Sequence, residues 1–307
     1  MQRKVAVLVG VYNGDRYLSE QLASLADQQF PNIDVWISDD GSIDDSIEKI
    51  QEAKLKWVKG RFEILAGPGE GFAENFRSLL VNEQIDGDYF AFCDQDDIWS
   101  PPKLSTAIDW LSGQPESTPA LYCTRTRIVD DEGRHVGYSP RFLRPTSFRN
   151  AMVQSIAGGN TMVLNRSARE LVAEASRRSG FVSHDWWCYL IVTGAGGVVR
   201  YAAEPQIDYR QHAGNLVGAN GSIVSRLGRS SFLFRGGFAA WMERNISGLQ
   251  ACEDLLTPDA RLVLGQVARL RGKPLPQRLW GLYRSGVYRQ TLSGQIGLFL
   301  ACALNRF

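Results

Sequence analysis

Residues 89–99 read YFAFCDQDDIW, an apolar run followed by three carboxylates within four residues. The run Tyr89–Cys93 is typical of a buried strand. Asp94, Asp96 and Asp97 follow it directly. Like charges this close repel one another, and removing them from water costs free energy. The stretch therefore predicts a functional reason, such as a cation, for clustered charge at the end of a buried strand.

The order of strand, polar turn and helix recurs upstream of this stretch. Strands are predicted over residues 5–12, 33–38 and 62–65. They end in Asn-Gly-Asp, Asp-Asp-Gly-Ser and a glycine-rich loop, respectively. Helices are predicted at about residues 18–25, 44–54, 72–81 and 101–111, and a further short strand is predicted over residues 161–164. This alternation indicates an α/β fold, a mostly parallel, Rossmann-like sheet flanked by helices on both faces.

Three polar clusters lie at the carboxyl ends of the predicted strands. They are Tyr12-Asn13, Asp39-Asp40 and residues 94–97. Open α/β sheets bind ligands beyond this edge. The three clusters are therefore predicted to converge on one site.

The acidic turn fits a hard divalent cation. Mg²⁺ and Mn²⁺ take oxygen ligands, usually one or two carboxylates with substrate phosphates. Asp94 and Asp96, as alternate residues of an extended turn, point the same way, whereas Asp97 is expected to brace the turn. The alternative is a simple helix N-cap before Pro101-Pro102. One aspartate would suffice for a cap, so three favour the cation.

Two further acidic sites allow a chemical or a structural interpretation. Asp39 and Asp40 could accept hydrogen bonds from a nucleobase or a ribose, or form an Asx-turn before the next helix. Asp185, after His184, could remove a proton from an acceptor hydroxyl, or cap the helix that follows.

The segment Tyr209-Arg210-Gln211-His212 carries the donors that a diphosphate needs. Arg210 suits phosphate oxygens, and His212 suits a metal or a phosphate. The glycine-rich loop at residues 67–71 lacks the GxxxxGK[ST] pattern, and no GxGxxG follows a strand. The sequence therefore supports neither a P-loop nor a dinucleotide site.

Composition is that of a soluble globular protein, with charge divided unevenly along the chain. The 307 residues are 44% hydrophobic and 22% charged. Residues 1–220 hold 22 Lys and Arg against 29 Asp and Glu, whereas residues 221–307 hold 12 against 4. The five cysteines are far apart and form no CxxC, which indicates a reducing compartment without disulfides or a zinc site. No apolar run reaches the roughly 20 residues that span a bilayer.

Seven stretches together resemble the family 2 glycosyltransferases, which have the GT-A fold. They occur in the family's order over residues 5–220: VAVLVGVYNGDRYLSEQLASL, VWISDDGSIDDS, GFAENF, FCDQDDIWSPPKL, GGNTMVLNRSA, HDWW and YRQHAGNLVGA. The DQDDIW and YRQH forms are similar to bacterial rhamnosyltransferases of O-antigen and cell-wall glycan synthesis. YRQH stands where processive relatives carry QxxRW, which favours addition of one or a few sugars.

The resemblance implies roles for individual residues. Asp185 would be the catalytic base. Asp96, Asp94 and His212 would hold Mn²⁺ or Mg²⁺. The donor nucleotide would lie against Tyr12, Asn13, Asp39, Asp40, Asp94 and Arg210. The acceptor would meet Gly159, Asn160, His184 and Trp186. Val11 replaces a threonine of many relatives, so one nucleotide contact is in doubt.

The implied function is metal-dependent, inverting transfer of a sugar from a nucleotide-diphosphate donor. L-rhamnose from dTDP-L-rhamnose is the suggested donor sugar, and a glycan or a polyprenyl-diphosphate-linked molecule is the expected acceptor. Two alternatives stay open, namely a sugar-1-phosphate nucleotidyltransferase and an inactive sugar- or metal-binding module. Metal-dependent release of a nucleoside diphosphate would distinguish transfer from both.

The predicted domains are a catalytic unit at 1–220 and a basic, aromatic, helical region at 221–307. The catalytic unit divides into a nucleotide half (about 1–112) and an acceptor half (about 113–220). Basic and aromatic side chains together suit an anionic membrane surface, which predicts a cytoplasmic protein with peripheral contact at the inner face of the membrane. The region could instead pack on the catalytic unit or on a second copy, as a homodimer. Nucleic acid is not expected as a partner, since no binding motif for it appears.

Overall fold

The computed structural model describes residues 3–212 and 237–307. The strands in these residues are β1 (Val5–Val11), β2 (Ile33–Asp39), β3 (Phe62–Ala66), β4 (Tyr89–Cys93), β5 (Ile98–Trp99), β6 (Ala120–Thr124), β7 (Arg127–Val129), β8 (His135–Tyr138), β9 (Val163–Asn165), β10 (Val198–Ala202) and β11 (Ile207–Arg210). The α-helices in them are α1 (Asp15–Ala26), α2 (Ser46–Lys56), α3 (Phe72–Val81), α4 (Lys103–Leu111), α5 (Phe148–Ala151), α6 (Arg166–Arg178), α7 (His184–Gly194), α8 (Gly237–Ala251), α9 (Pro258–Ala268), α10 (Leu275–Ser285) and α11 (Leu292–Ala303).

The central sheet has seven strands in the order β10-β6-β9-β4-β1-β2-β3. Only β9 runs antiparallel to its neighbours, β4 and β6. The predicted mostly parallel α/β sheet is thus confirmed. A second sheet, β5-β11-β7-β8, brings β11 alongside the short strand β5, which directly follows the acidic turn.

The sheet is buried on both faces, which explains the continuous apolar strands. In β1, Val5, Val7 and Val9 pack in one core with residues of α1, α2 and α4. Ala6 and Leu8 point to the opposite core, which is shared with α3, α6, α7 and the C-terminal helices. Alternate residues of a strand point to opposite faces, so a strand covered on both sides must be apolar throughout.

Most predicted elements have the expected type. β4 and α3 have the predicted bounds, whereas α4 begins at Lys103 rather than at 101. A strand was expected over residues 161–164. The chain instead forms a 3-10 turn, Gly159–Thr161, before β9. The aromatic segment after Asp185 lies in α7.

The C-terminal part of the chain is helical from Gly237 onward, as predicted. The boundary at 220/221 and two of the aromatic residues, Phe232 and Phe234, lie outside the described residues, so the domain division stays a prediction. Among the helices that the structure describes, none has both the length and the apolar character to cross a bilayer. All five cysteines are buried with free thiols.

Candidate active site

The carboxyl ends of β1 and β4 are joined by Gln95. The Tyr12 backbone N–H donates to Gln95 Oε1 at 2.7 Å, and Gln95 Nε2 donates to the Tyr12 carbonyl at 3.0 Å. This pair of bonds fixes the exposed Tyr12 beside the acidic turn. Gln95 was not among the predicted site residues. Its place between Asp94 and Asp96 was the available signal.

The ends of β1 and β2 are joined by Asn13. Its N–H donates to Ser42 Oγ, and its Oδ1 accepts from the Ile43 N–H, both at 2.9 Å. Asn13 has φ 48°, a left-handed conformation that asparagine tolerates better than most residues. Its side chain thus shapes the turn, and its contact with a nucleotide stays a prediction.

Asp39 forms the predicted Asx-turn with one carboxylate oxygen and leaves the other oxygen for a ligand. Oδ2 accepts from the N–H groups of Gly41 and Ser42 at 3.3 and 3.1 Å, which is the Asx-turn. Oδ1 is buried and has no hydrogen-bond partner among the described residues. A buried carboxylate oxygen without a donor is costly, so this atom is suited to an incoming N–H or O–H.

Asp39 borders a cavity of about 390 Å³ beyond the ends of β2 and β3. Ile47, Ile64 and Pro68 contribute apolar walls to it. Small-molecule sites are commonly clefts with apolar walls and a few placed polar groups, so this cavity is suited to a flat heterocycle. A cavity of about 460 Å³ lies elsewhere, between α5, β10 and α9, and holds none of the predicted site residues.

Asp40 holds the glycine-rich loop. Its Oδ1 and Oδ2 accept from the N–H groups of Gly69 and Gly71 at 2.7 and 2.8 Å, and the side chain is buried. Both oxygens therefore have structural partners, and direct contact with the nucleotide stays a prediction.

The three aspartates of the acidic turn occupy different environments. Asp97 is buried; it accepts from Asn160 Nδ2 and, at 3.3 Å, from the Arg210 N–H. Burial, with the charges of Asp96 and Asp94, holds the pKa of Asp97 well above its usual range. The geometry agrees with the bracing position expected for Asp97. No aspartate caps α4, whose N-cap is Pro102 without a side-chain bond.

Asp94 lies where negative charge accumulates. Burial, followed by repulsion from Asp96 and Asp185, raises the pKa of Asp94 to about 8. His184, the residue before Asp185, packs against Phe92 with ring centroids 4.8 Å apart, so the first turn of α7 lies beside the end of β4. The raised pKa means that a further negative charge at Asp94 is costly, and a bound divalent cation would offset that cost.

Asp96 Oδ2 lies 2.8 Å from His212 Nε2. The structure thus brings together two of the three predicted metal ligands. It does not close Asp94, Asp96 and His212 into a ready site: over residues 3–212 and 237–307, no three acidic, His or Cys side chains form a group able to hold a metal. The residues present nevertheless fit a hard cation that takes the rest of its ligands from a diphosphate.

Arg210 lies beneath the acidic turn rather than on its surface. Its guanidinium donates to the carbonyls of Asp96 and Asp131 at 3.2 and 2.8 Å and forms an ion pair with Glu20. It also packs 4.6 Å from the centre of the Tyr17 ring, and only 3% of its side chain is exposed. The predicted direct contact with phosphate would require the guanidinium to leave these partners.

A second buried cation, Lys103, lies behind the turn. Its ammonium is 3.5 Å from the centre of the Trp99 ring. Among the described residues its Nζ has no hydrogen-bond partner, and burial lowers its pKa to about 7. Nothing in the local sequence marks this side chain, since a lysine in the first turn of a helix is normally solvated.

Asp185 reaches the same site from the first turn of α7. Ser155 Oγ donates to Asp185 Oδ2 at 3.3 Å. Ser183, not Asp185, occupies the N-cap position, so capping does not account for the carboxylate. Asp185 is half-buried at the end of α7 that packs against Phe92, which places a proton acceptor near the acidic turn.

The four residues predicted to meet an acceptor are buried. His184 packs between the rings of Phe76 and Phe92, with centroids 4.0 and 4.8 Å away, and both of its ring nitrogens lack partners among the described residues. Burial lowers the pKa of His184 to about 4, so the ring is neutral at pH 7. A Cβ on Gly159 would lie 1.8 Å from His184 Nε2, which explains the glycine there.

The other two have structural partners as well. Trp186 Nε1 donates to the Ala151 carbonyl at 2.6 Å, and Asn160 Nδ2 donates to Asp97. These four residues form the inner support of the site, and their contact with an acceptor stays a prediction.

The site is thus a carboxylate-lined edge of a mostly parallel sheet beside a heterocycle-sized slot. The family model described as "Glycosyl transferase family 2" matches residues 6–171, more than half of the chain. The chain belongs to glycosyl transferase family 2. It is therefore an enzyme of that family, a glycosyltransferase.

Similar proteins include the dTDP-rhamnosyl transferase RfbG of Shigella flexneri. It is 26% identical over 235 residues, which cover 72% of this chain and 77% of that protein. An uncharacterized protein of Mycobacterium tuberculosis is 28% identical over 208 residues, covering 66% of this chain and 57% of that protein.

Two solved structures are similar in fold. Staphylococcus aureus TarS 1-349 in complex with UDP-GlcNAc aligns with a TM-score of 0.53 at 17% identity, covering 93% of each chain. Mannosyltransferase PcManGT from Pyrobaculum calidifontis in complex with GDP-Man and Mn²⁺ aligns with a TM-score of 0.51 at 16% identity, covering 100% of this chain and 87% of that one. The glycosyltransferase thus has the predicted GT-A fold.

Proposed function

We propose that this glycosyltransferase is a metal-dependent, inverting enzyme that takes its sugar from a nucleoside-diphosphate donor. The observation that carries the proposal is that the first turn of α7, which bears Asp185, packs against the end of β4, which leads into Asp94 and Asp96. It supports a diphosphate on one side of the transferred sugar and a proton acceptor on the other.

Each side chain has a proposed part in the reaction. Asp39 Oδ1 accepts a hydrogen bond from the nucleobase, and Tyr12 lies against the base. Asp96 and Asp94, with His212, would hold Mn²⁺ or Mg²⁺, and the bound ion would supply Lewis-acid stabilisation of negative charge on the diphosphate. Arg210 is a positioning residue, because it holds the Asp96 backbone and the base of the turn.

Asp185 is the proposed catalytic base. It removes the proton of an acceptor hydroxyl while that oxygen bonds to the anomeric carbon and the bond from this carbon to the diphosphate oxygen breaks. Attack from the face opposite the leaving group inverts the configuration in one displacement. Ser155 orients the carboxylate through its hydrogen bond to Oδ2.

For the donor sugar we propose L-rhamnose, carried by dTDP. The similarity to a dTDP-rhamnosyl transferase over 72% of the chain supports this choice. The proposed acceptor is a glycan or a polyprenyl-diphosphate-linked saccharide of a bacterial surface polysaccharide. Such an acceptor lies at the inner face of the cell membrane, so we propose a cytoplasmic enzyme with peripheral contact through residues within 221–307.

A panel of nucleotide sugars tests the proposal. Each donor is incubated with the full-length protein and Mn²⁺, and released nucleoside diphosphate is measured with and without EDTA. We expect slow, EDTA-sensitive release of dTDP from dTDP-L-rhamnose. Release from UDP- or GDP-sugars alone would overturn the choice of dTDP-L-rhamnose as donor. Release that EDTA does not reduce would overturn the metal dependence. Release of pyrophosphate would overturn sugar transfer.

A further inference from the structure

An apolar stripe runs along the exposed side of α11. Leu292, Ile296, Leu300 and Leu304 recur every four residues, with 79%, 62%, 51% and 49% of each side chain exposed. Residues four apart lie on the same side of a helix. The opposite side of α11 is buried through Leu298, Ala301 and Cys302. The stripe is therefore an outward-facing surface and not a displaced core.

The neighbouring helix α10 adds exposed aromatic rings. Trp280 and Tyr283 are 61% and 68% exposed, and their rings stack with centroids 5.7 Å apart. Arg278 fastens the two helices together, because its guanidinium donates to the Cys302 and Ala303 carbonyls at the end of α11. We call α10, α11 and the segment between them the C-terminal hairpin (residues 275–304).

The C-terminal hairpin and the residues that flank it in sequence carry charge of one sign, and the nearby acidic residues Glu243 and Asp259 are paired with Arg271 and Arg149. Residues 260–307 contain eight Lys and Arg and no Asp or Glu. Lys273, Arg284 and Arg306 are exposed near the ends of the two helices. A second copy of this surface would be repelled by like charge, whereas an anionic surface would be attracted. Aliphatic side chains this exposed suit hydrocarbon better than the phosphates of a nucleic acid.

The C-terminal hairpin is attached close to the proposed base. Asn150 Nδ2 donates to the Tyr288 carbonyl, and the Gln290 N–H donates to Gln154 Oε1, both at 2.9 Å. Gln154 is followed by Ser155, which bonds Asp185. A surface bound by the hairpin is therefore linked through a short, hydrogen-bonded path to the side of the site that carries the base.

We propose that the C-terminal hairpin docks on an anionic lipid bilayer, with the α11 stripe and Trp280 entering the headgroup region. α11 spans about 18 Å and lies along the surface, since it is too short to cross a bilayer. Basic residues at its rim bind anionic headgroups. This narrows the membrane contact proposed above to one surface, and its test does not require transferase activity.

Vesicle sedimentation with the full-length protein tests the inference. We expect binding to vesicles of phosphatidylcholine with about 30% phosphatidylglycerol and much weaker binding to phosphatidylcholine alone. Ile296→Gln with Leu300→Gln should reduce binding by about tenfold or more, because two inserted aliphatic side chains are lost. Arg284→Gln should reduce it by about fivefold, as one basic contact is lost.

Leu55→Gln with Val58→Gln is the matched control. These two apolar residues are 88% and 90% exposed at the other end of the chain, so vesicle binding should not change. The inference would be overturned by equal binding of the wild type to both vesicle types. It would also be overturned if Ile296→Gln with Leu300→Gln, the stripe variant, bound as well as the wild type, or if the control variant lost as much binding. A dimer in light scattering that the stripe variant abolishes would overturn it too, as would preferred binding to nucleic acid. Matching melting temperatures of all variants exclude misfolding as the cause.

Discussion

Two regions of the active site differ in how their polar atoms are satisfied. The strand-end cluster, comprising Tyr12, Asp39, Asp94 and Asp96, includes Asp39 Oδ1, which has no partner among the described residues, and Asp94, whose pKa is raised by burial and by neighbouring carboxylates. The helix-side cluster, comprising Gly159, Asn160, His184, Asp185 and Trp186, is mostly buried, and only Asp185 is accessible enough to act on a ligand. The first region therefore has polar groups that are available to a ligand, whereas the second mainly holds the Asp185 carboxylate in position.

The comparison is tested most severely at Asp96. Asp96→Asn removes one charge from the proposed metal site, and we expect nucleoside diphosphate release to fall at least about a thousandfold. The measurement is donor turnover at saturating Mn²⁺. Asp109→Asn, on the exposed side of α4, is the matched control and should retain full activity. Near-normal turnover by Asp96→Asn would show that the strand-end cluster does not take part in the reaction.

Asp185 should affect transfer without affecting donor binding. Asp185→Asn keeps the shape of the side chain but cannot accept the proton, so the rate should fall by about a hundredfold to ten-thousandfold. Calorimetry should show a donor dissociation constant within about twofold of the wild type. Loss of donor binding would make Asp185 a binding residue. Ser155→Ala should have a smaller effect on the same rate, because it removes only the orienting bond.

The packing of the helix-side cluster should appear in stability rather than in chemistry. Gly159→Ala places a methyl group 1.8 Å from His184 Nε2, and His184 is confined between two rings. We expect the free energy of unfolding to fall by about 3 kcal/mol in urea titrations. Gly297→Ala has open space and a helical backbone, so it should be neutral or slightly stabilising. Equal effects of the two substitutions would contradict the close packing.

His184 should also make stability depend on pH. Burial lowers its pKa to about 4, below the value of about 6.5 in an unfolded chain. The unfolded state therefore binds more protons between these values, and stability is lost as pH falls from about 6.5 to 4, by up to about 3 kcal/mol. His184→Leu should flatten this part of the profile, whereas His135→Leu, at an exposed site, should not. The same slope in His184→Leu would show that other groups cause it.

The smallest expected effect is at Gln95, which joins the ends of β1 and β4. Gln95→Ala removes both bonds to Tyr12 and should raise the donor dissociation constant by about five- to tenfold. Gln84→Ala, at an exposed glutamine, should leave it unchanged. If Gln95→Ala weakened donor binding more than Asp96→Asn does, the order of the loop would matter more than the charge of the turn.

The strand-end cluster was predictable because geometry links it to the sequence. Parallel strands place their carboxyl ends on one edge, so the order of strands and polar turns located Asp39 and Asp94 without knowledge of the packing. The helix-side cluster was instead predicted from the resemblance of GGNTMVLNRSA and HDWW to family motifs. That reasoning cannot distinguish a side chain facing the site from one facing the core.

Other features depended on contacts between distant residues. Arg210 was predicted to bind phosphate because of its charge, and this stays a prediction; its ion pair with Glu20, which lies 190 residues away, could not be foreseen from the sequence. The burial of Lys103 over Trp99 and the clash that requires Gly159 likewise arise only once the fold brings the chain together. Predicted element types succeeded where periodicity was strong. The strand expected over 161–164 was misplaced because a short apolar run does not define its own start.

Manganese binding followed by electron paramagnetic resonance tests the central claim most directly. The wild type and Asp109→Asn should each bind about one Mn²⁺ when dTDP is present, and much less without nucleotide, because the diphosphate completes the ligand set. Asp96→Asn should lose this nucleotide-dependent binding. Undiminished Mn²⁺ binding by Asp96→Asn in the presence of dTDP would contradict the claim that the turn after β4 is the metal–diphosphate site.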